Sequence, residues 1–343
     1  MTENDSPAYQ DAAPILELIL AFRRSKTMFA AVQFGIFDRL ASQSANAEEL
    51  AQALGLNSAA LARLLDACVS LGLLEHTGAG YRNASIASRF LVSSSPAALT
   101  GYVRYSNESL YKLWDHLEDA VREGEHRWTQ VFGSRNALFD HYFRNEEAAA
   151  NFLDGMHGFG QLAWPPAVHA FDLSRFTHLV DLGGATGHFA IAACEAYPNL
   201  RATVLDLPGV DNFARAHIAR SSVADRIQFV ASDFFANDLP EGDLYNLGRI
   251  LHDWSEDKIV LLVRKVYRAL PSGGGLLVEE TIVNPDRSGP LLSLMQDLNM
   301  LVCTDGRERT FSEYRALLQA AGFSSVEYRL TGSVVDAIFA VKS

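Results

Sequence analysis

Cysteine is scarce in this 343-residue chain: three in all, Cys68, Cys194 and Cys303. An odd, scattered set without ligand spacing supports neither a disulfide framework nor a zinc site. A reducing, cytoplasmic location fits that usage. Long apolar runs are missing too. No stretch approaches the ~18 residues needed to span a bilayer, so no membrane partner is expected. The start, MTENDSPAYQDAAP, lacks the basic and apolar regions of a signal peptide. Basic charge is the third shortage: 29 Lys and Arg face 41 Asp and Glu, a formal net charge of −12. A nucleic-acid binder needs a clustered basic face, and none is expected as a partner here. Internal repeats and low-complexity tracts are absent as well.

What remains is ordinary for a soluble globular protein, 48% hydrophobic and 20% charged. The length suggests two domains. Residues 1 to about 13 are polar and read as mobile. Apolar residues then recur at helical spacing from Ile15 to Leu40. Two short helices follow around Gly55, with Asn46 and Asn57 as N-caps and Glu49 three residues after the first. A small hairpin at Thr77 to Gly80 completes a helix-turn-helix-plus-wing pattern. Such a module binds DNA or serves as a scaffold. Its second helix offers only Arg63, so the scaffold reading is preferred. From Ser109 to Ala170 the chain is again helical, with a break expected at Trp164-Pro165-Pro166.

After Phe171 strand-like and helical runs alternate, which argues a mostly parallel sheet with helices on both faces. Ligands bind at the carboxyl edge of such a sheet. Three successive strand ends carry DLGG, LDLP and SDFF. Asp206 stands where a carboxylate can accept both hydroxyls of a ribose. Asp233 and Phe234 stand where an adenine amino group and ring can be met. A fourth strand runs into RILHDW, placing His252 and Asp253 at the lip, and histidine is the side chain best suited to move a proton near neutral pH. Taken singly, each aspartate reads as a turn residue and His252 as a capping histidine. His157 and His188 likewise read as packing or capping residues.

With these motifs in place, the chain resembles the S-adenosylmethionine-dependent O-methyltransferases of the plant small-molecule and acetylserotonin type. DLGGATG, LDLP, SDFF, RILHDW, GGGLLVEE and LNMLVCTDGRERT stand in that family's order and spacing. The resemblance implies an α/β chain with a Rossmann-like class I methyltransferase sheet and an N-terminal all-helical winged-helix dimerisation domain. The implied domains are 1–105 for dimerisation, 106–170 as a helical linker contributing to the acceptor pocket, and 171–343 for S-adenosylmethionine. Gly183, Asp206, Leu207, Asp233, Phe234 and Arg249 would bind that cofactor. His252 would be the catalytic base, with Glu280 and Glu308 orienting it. Asp253, Asn299, Met300, Met156 and Phe159 would meet the acceptor. A homodimer is implied. Two positions depart from the family: Ala185 and Ser232 replace glycines, which leaves cofactor affinity open.

The chemistry fits those residue types. A sulfonium methyl donor leaves as a neutral thioether, so no metal is required. A phenol titrates near ~10 and needs a base at neutral pH; a positioned imidazole supplies typically ~10²–10⁴ in rate. A carboxylate on its other ring nitrogen fixes the tautomer. Along the strand, alternation makes Glu279 face away if Glu280 faces the site. The expected reaction is therefore methylation of a hydroxyl on a small aromatic acceptor. Two alternatives stay open: nitrogen or carbon methylation, or a non-methylating reaction on a polyketide, and a winged-helix regulator that senses a metabolite.

Overall fold

Asn46 and Glu49 close a helix start in the way their spacing predicts. The Asn46 side chain accepts from the Glu49 amide at 2.9 Å, and the Glu49 carboxylate accepts from the Asn46 amide at 2.9 Å. Two otherwise unpaired groups are satisfied reciprocally. The computed structural model describes residues 7–133 and 146–343, and within them the chain divides at Asn107 and Glu108 into two compact units.

In the first unit, α1 runs Pro7–Gln33, α2 Ile36–Arg39, α3 Ala47–Leu54 and α4 Ser58–Ser70. Of the polar leader expected to be mobile, residues 1–6 lie outside the described residues, and from Pro7 onward it is helical. Proline's fixed φ suits an opening turn, and the apolar spacing that follows carries the helix on. Asn57 caps α4 by accepting from the Ala60 amide at 2.9 Å. Strands β1 (Leu74–Thr77) and β2 (Gly80–Asn83) pair antiparallel with Thr77 opposite Gly80. That hairpin is the expected wing, so this unit is helical apart from it. Ile36, Phe37, Leu61, Leu65 and Leu74 are its buried centre.

The second unit begins with short helices and then α5, Glu146–Val168. The break expected at the two prolines does not occur: Pro165 and Pro166 lie inside α5. An interior proline removes the N–H that would bond the carbonyl four residues back. Here the Ser333 hydroxyl donates to the Leu162 carbonyl at 3.1 Å and to that of Ala163 at 3.3 Å. The acceptor orphaned by Pro166 is thus satisfied from outside, and the helix continues. The helices between 106 and 170 that are described, apart from those before Glu108, fall in this unit; residues 134–145 of the expected linker lie outside the described residues.

Beyond α5 the alternation read in the sequence is realised. The elements are β3 His178–Leu182, α6 His188–Ala196, β4 Arg201–Asp206, α7 Asp211–Ala219, β5 Ile227–Ala231 and β6 Leu244–Gly248. They continue as α8 Glu256–Ala269, β7 Gly275–Glu280, α9 Leu291–Cys303, α10 Phe311–Ala321, β8 Ser325–Arg329 and β9 Asp336–Val341. The sheet order is β5-β4-β3-β6-β7-β9-β8. The first five pair in parallel, and β9 is antiparallel to both neighbours. One face packs on α5, α6 and α7, the other on α8 and α10. With both faces covered, β7 is buried at all six positions, as parallel strands read. The sheet therefore presents its carboxyl ends, and the motifs on them, along one edge.

Candidate active site

Strand β6 ends at Gly248, and the chain turns sharply at Arg249, whose φ of 56° is rare for a side-chain-bearing residue. A single 3₁₀ turn, Leu251–Asp253, then presents His252. Glu280 ends the neighbouring strand. One of its oxygens accepts from the backbone amides of Leu251 at 2.8 Å and His252 at 3.2 Å, which fixes the turn. Its other oxygen lies 3.4 Å from His252 Nδ1. Glu308 arrives from the loop between α9 and α10 and takes the same nitrogen at 2.7 Å. The Glu308 amide is itself held by the Asp297 carboxylate at 2.8 Å. Gly306 makes that route possible, because a Cβ there would collide with the His252 carbonyl oxygen.

His252 is 3% exposed and both glutamates 0%. Burial pulls the imidazole pKa down, but the charges of Glu280, Glu308 and Asp253 outweigh it and hold it up at about 9. Burial pushes Glu280 up to about 7, with His252 opposing and Glu308 adding to the rise. Asp253 is raised by burial and lies 3.6 Å from His252 Nε2. Because Nδ1 donates to Glu308, the neutral ring carries its lone pair on Nε2. The ligand atoms of His252, Glu280 and Glu308 all lie within 4.8 Å of one another, close enough to consider a metal ion. The 2.7 Å contact suits a hydrogen bond better: two ligands ~2.1 Å from a tetrahedral ion stand roughly 3.4 Å apart. Glu279 turns to the opposite face, beside Asn246 and Trp164, as alternation requires.

A second group of predicted residues gathers at the neighbouring strand ends. Gly183 opens the glycine-rich turn with φ 70°; a side chain there would strike Ile250 and approach the Phe234 ring. Asp206 accepts from the amides of Ala185 at 2.8 Å and Leu207 at 2.7 Å. Burial pushes its carboxyl up to about 6, the two amides opposing. Each carboxylate oxygen retains a lone pair for a hydroxyl donor, so the cradle fits a ribose. Ala185 stands at φ 47°, keeping a left-handed conformation at a cost of about 1–2 kcal/mol relative to glycine. Ser232 is not in that region, so its substitution carries no such cost. Asp233 receives the Phe235 amide at 2.7 Å, closing the turn that sets Phe234 against Phe235 at 4.8 Å between ring centres.

Arg249 links the His252 group to α5. Its guanidinium lies over the Phe159 ring at 4.9 Å, and its charge reaches Glu280 and Asp253. Phe159 and Met156 lie about one turn apart on α5, both half-buried. The remaining two candidates are committed elsewhere. Asn299 accepts from the Trp114 indole at 2.9 Å; Met300 is 4% exposed with its sulfur 3.8 Å from the Thr304 hydroxyl. Asp297, Gly306, Trp114 and Thr186 were not singled out from the sequence. Trp114 acts across 185 positions and Asp297 across 11, over a helix end and a loop, which no periodic pattern reports. Gly306 and Thr186 lay in plain view inside recognised motifs.

A family model described as an O-methyltransferase domain matches residues 114–324, and one described as an O-methyltransferase dimerisation domain matches residues 16–93. The chain belongs to the O-methyltransferase family. Among its relatives is acetylserotonin O-methyltransferase of Bos taurus, 41% identical over 328 residues, covering 94% of this chain and 95% of the relative. The Gallus gallus enzyme of the same name is 40% identical over 94% of both. The crystal structure of human N-acetylserotonin methyltransferase in complex with SAM superposes with a TM-score of 0.93 at 36% identity, covering all of both chains. In this O-methyltransferase the mostly parallel sheet and its covering helices therefore belong to an established fold. Among the described residues no helix is long and apolar enough to cross a membrane.

Proposed function

We propose that this S-adenosylmethionine-dependent O-methyltransferase methylates a hydroxyl of a small aromatic acceptor, of phenol or hydroxyindole type, with His252 as general base. The observation that carries the base assignment is the buried 2.7 Å contact from His252 Nδ1 to Glu308. Gly183, Asp206, Leu207, Asp233, Phe234 and Arg249 would hold the cofactor, which when bound supplies a sulfonium methyl and a neutral leaving group. The protein's own work is then on the acceptor. Glu308 fixes the tautomer and Glu280 fixes the backbone, so Nε2 is free to take the hydroxyl proton. As the oxygen becomes anionic the imidazolium is stabilised where it forms. Asp253, Met156, Phe159, Asn299 and Met300 are proposed to shape the acceptor side, which would align oxygen and methyl carbon.

The test is methyl transfer from labelled S-adenosylmethionine to a panel of phenols, hydroxyindoles and amines, each with and without a chelator. Labelled phenol or hydroxyindole ethers, formed equally with chelator, are expected. Labelling confined to amines, or abolished by chelation, would overturn the reading.

The dimerisation domain supports a homodimer. In α1, Ile15, Leu18, Ile19 and Phe22 are each more than half exposed, a row of large apolar side chains that monomers rarely display. Light scattering should give a mass near twice 37.6 kDa, and a clean monomer at micromolar concentration would refute the dimer.

A further inference from the structure

The turn that carries Ala185 is gripped by side chains the proposed reaction does not use. Thr186, fully buried, places its hydroxyl 2.9 Å from His157 Nδ1 and 3.3 Å from His188 Nδ1. His157 comes from α5 and His188 from the start of α6. The Gln161 amide nitrogen stands 2.8 Å from His157 Nε2. The His188 ring stacks on Trp164, 5.4 Å between centres and 3° from parallel. His217 packs against His157 at 4.1 Å.

These contacts define a direction. Burial holds His157 down at about 4 and His188 at about 3, so both rings are neutral at ordinary pH. The Gln161 amide donates to His157 Nε2, so His157 carries its proton on Nδ1 and donates to Thr186. The threonine hydroxyl is left to donate onward to His188 Nδ1. The two inner members, His157 and Thr186, each give one proton and receive one, and such chains strengthen their own links. One residue away, Ala185 sits in the strained conformation noted above, its amide on Asp206. Strain of that kind persists only where the surroundings over-determine it.

We propose that Thr186 is a positioning residue for the cofactor turn: gripped by His157 and His188, it holds Ala185 left-handed so that its amide reaches Asp206. The inference rests on the reading of Asp206 as a cofactor-binding residue. It also ties α5, which carries Met156 and Phe159, to that turn.

Calorimetric binding of S-adenosylhomocysteine tests it, on the full-length protein. Thr186→Val keeps the buried shape and deletes the hydroxyl; binding should weaken about tenfold, as loss of one or two buried hydrogen bonds implies. Thr186→Ser restores the hydroxyl and should bind within about twofold of wild type. Adding Ala185→Gly to Thr186→Val relieves the strain and should recover most of the loss. Wild-type affinity in Thr186→Val, an equal loss in Thr186→Ser, or no recovery with Ala185→Gly would each overturn the proposal. If Thr186→Val fails to fold, His157→Phe against His157→Gln asks the same question from α5, with weakening expected only for phenylalanine. Failure of the wild type to bind S-adenosylhomocysteine would instead remove the cofactor reading itself.

Discussion

His252→Ala is expected to lower kcat by about 10²–10⁴-fold, the usual worth of a positioned base, while S-adenosylhomocysteine binds with wild-type affinity. The separation follows from the geometry. In the proposed cofactor cradle Asp206 is held by the amides of Ala185 and Leu207, whereas the imidazole is held by Glu308. The alanine does leave Glu280 and Glu308 buried without their shared partner, so a lower melting temperature is expected as well. His252→Asn, which keeps a donor for Glu308, should recover stability but not rate. A variant that retains more than about a tenth of wild-type kcat would contradict the base role.

The second large effect is a pH signature. The neighbouring carboxylates hold His252 up at about 9, and only the neutral ring can accept a proton. At pH 7, two units below, about one molecule in a hundred carries it neutral. The rate should therefore climb about tenfold per pH unit from 7 and level off beyond 9. Glu308→Gln removes one of the charges that raise the imidazole, so the rising limb should move down by about one unit or more. The same change loosens the ring, and the plateau should fall about 10–100-fold, as loss of an orienting partner typically does. The two effects oppose each other at low pH and not at high. The deficit against wild type should accordingly be larger at pH 9.5 than at pH 7. A uniform deficit across the range would mean that Glu308 does not tune His252. Stability carries the same sign. A raised folded-state pKa contributes stability that is fully present below about 6.5 and lost as pH rises through about 9. Wild type should lose melting temperature over that interval, and Glu308→Gln should lose less.

How far the sequence reached can be argued residue by residue. Every strand of the sheet, the capping pair Asn46–Glu49 and the wing were legible, because each rests on local spacing. That Glu279 lies on the face opposite Glu280 followed from strand alternation, and the choice of Glu280 for the site from the family resemblance. The Pro165-Pro166 break did not survive, since it assumed that only the helix could satisfy its own carbonyls; Ser333 does so from 167 residues away in numbering terms, counting from Pro166. A mobile leader from residue 7 failed for a related reason, polar composition outweighing a helix-compatible proline. In the site, the motifs located His252, Glu280 and Glu308 but could not show that one glutamate holds the backbone and the other the ring. His157 and His188 read singly as packing residues. Their joint grip on Thr186 is invisible until α5 is laid beside the turn.

Gly306 has no functional group, yet it is the narrowest passage in the route that brings Glu308 to His252. Absence is what that position contributes. Any side chain there would lift the whole strand of loop off the His252 carbonyl and carry the carboxylate out of range with it. A search for the same chemistry in other chains should therefore weigh the empty place two residues ahead of the acid as heavily as the acid. An inventory of reactive groups alone would pass over the residue on which their meeting depends.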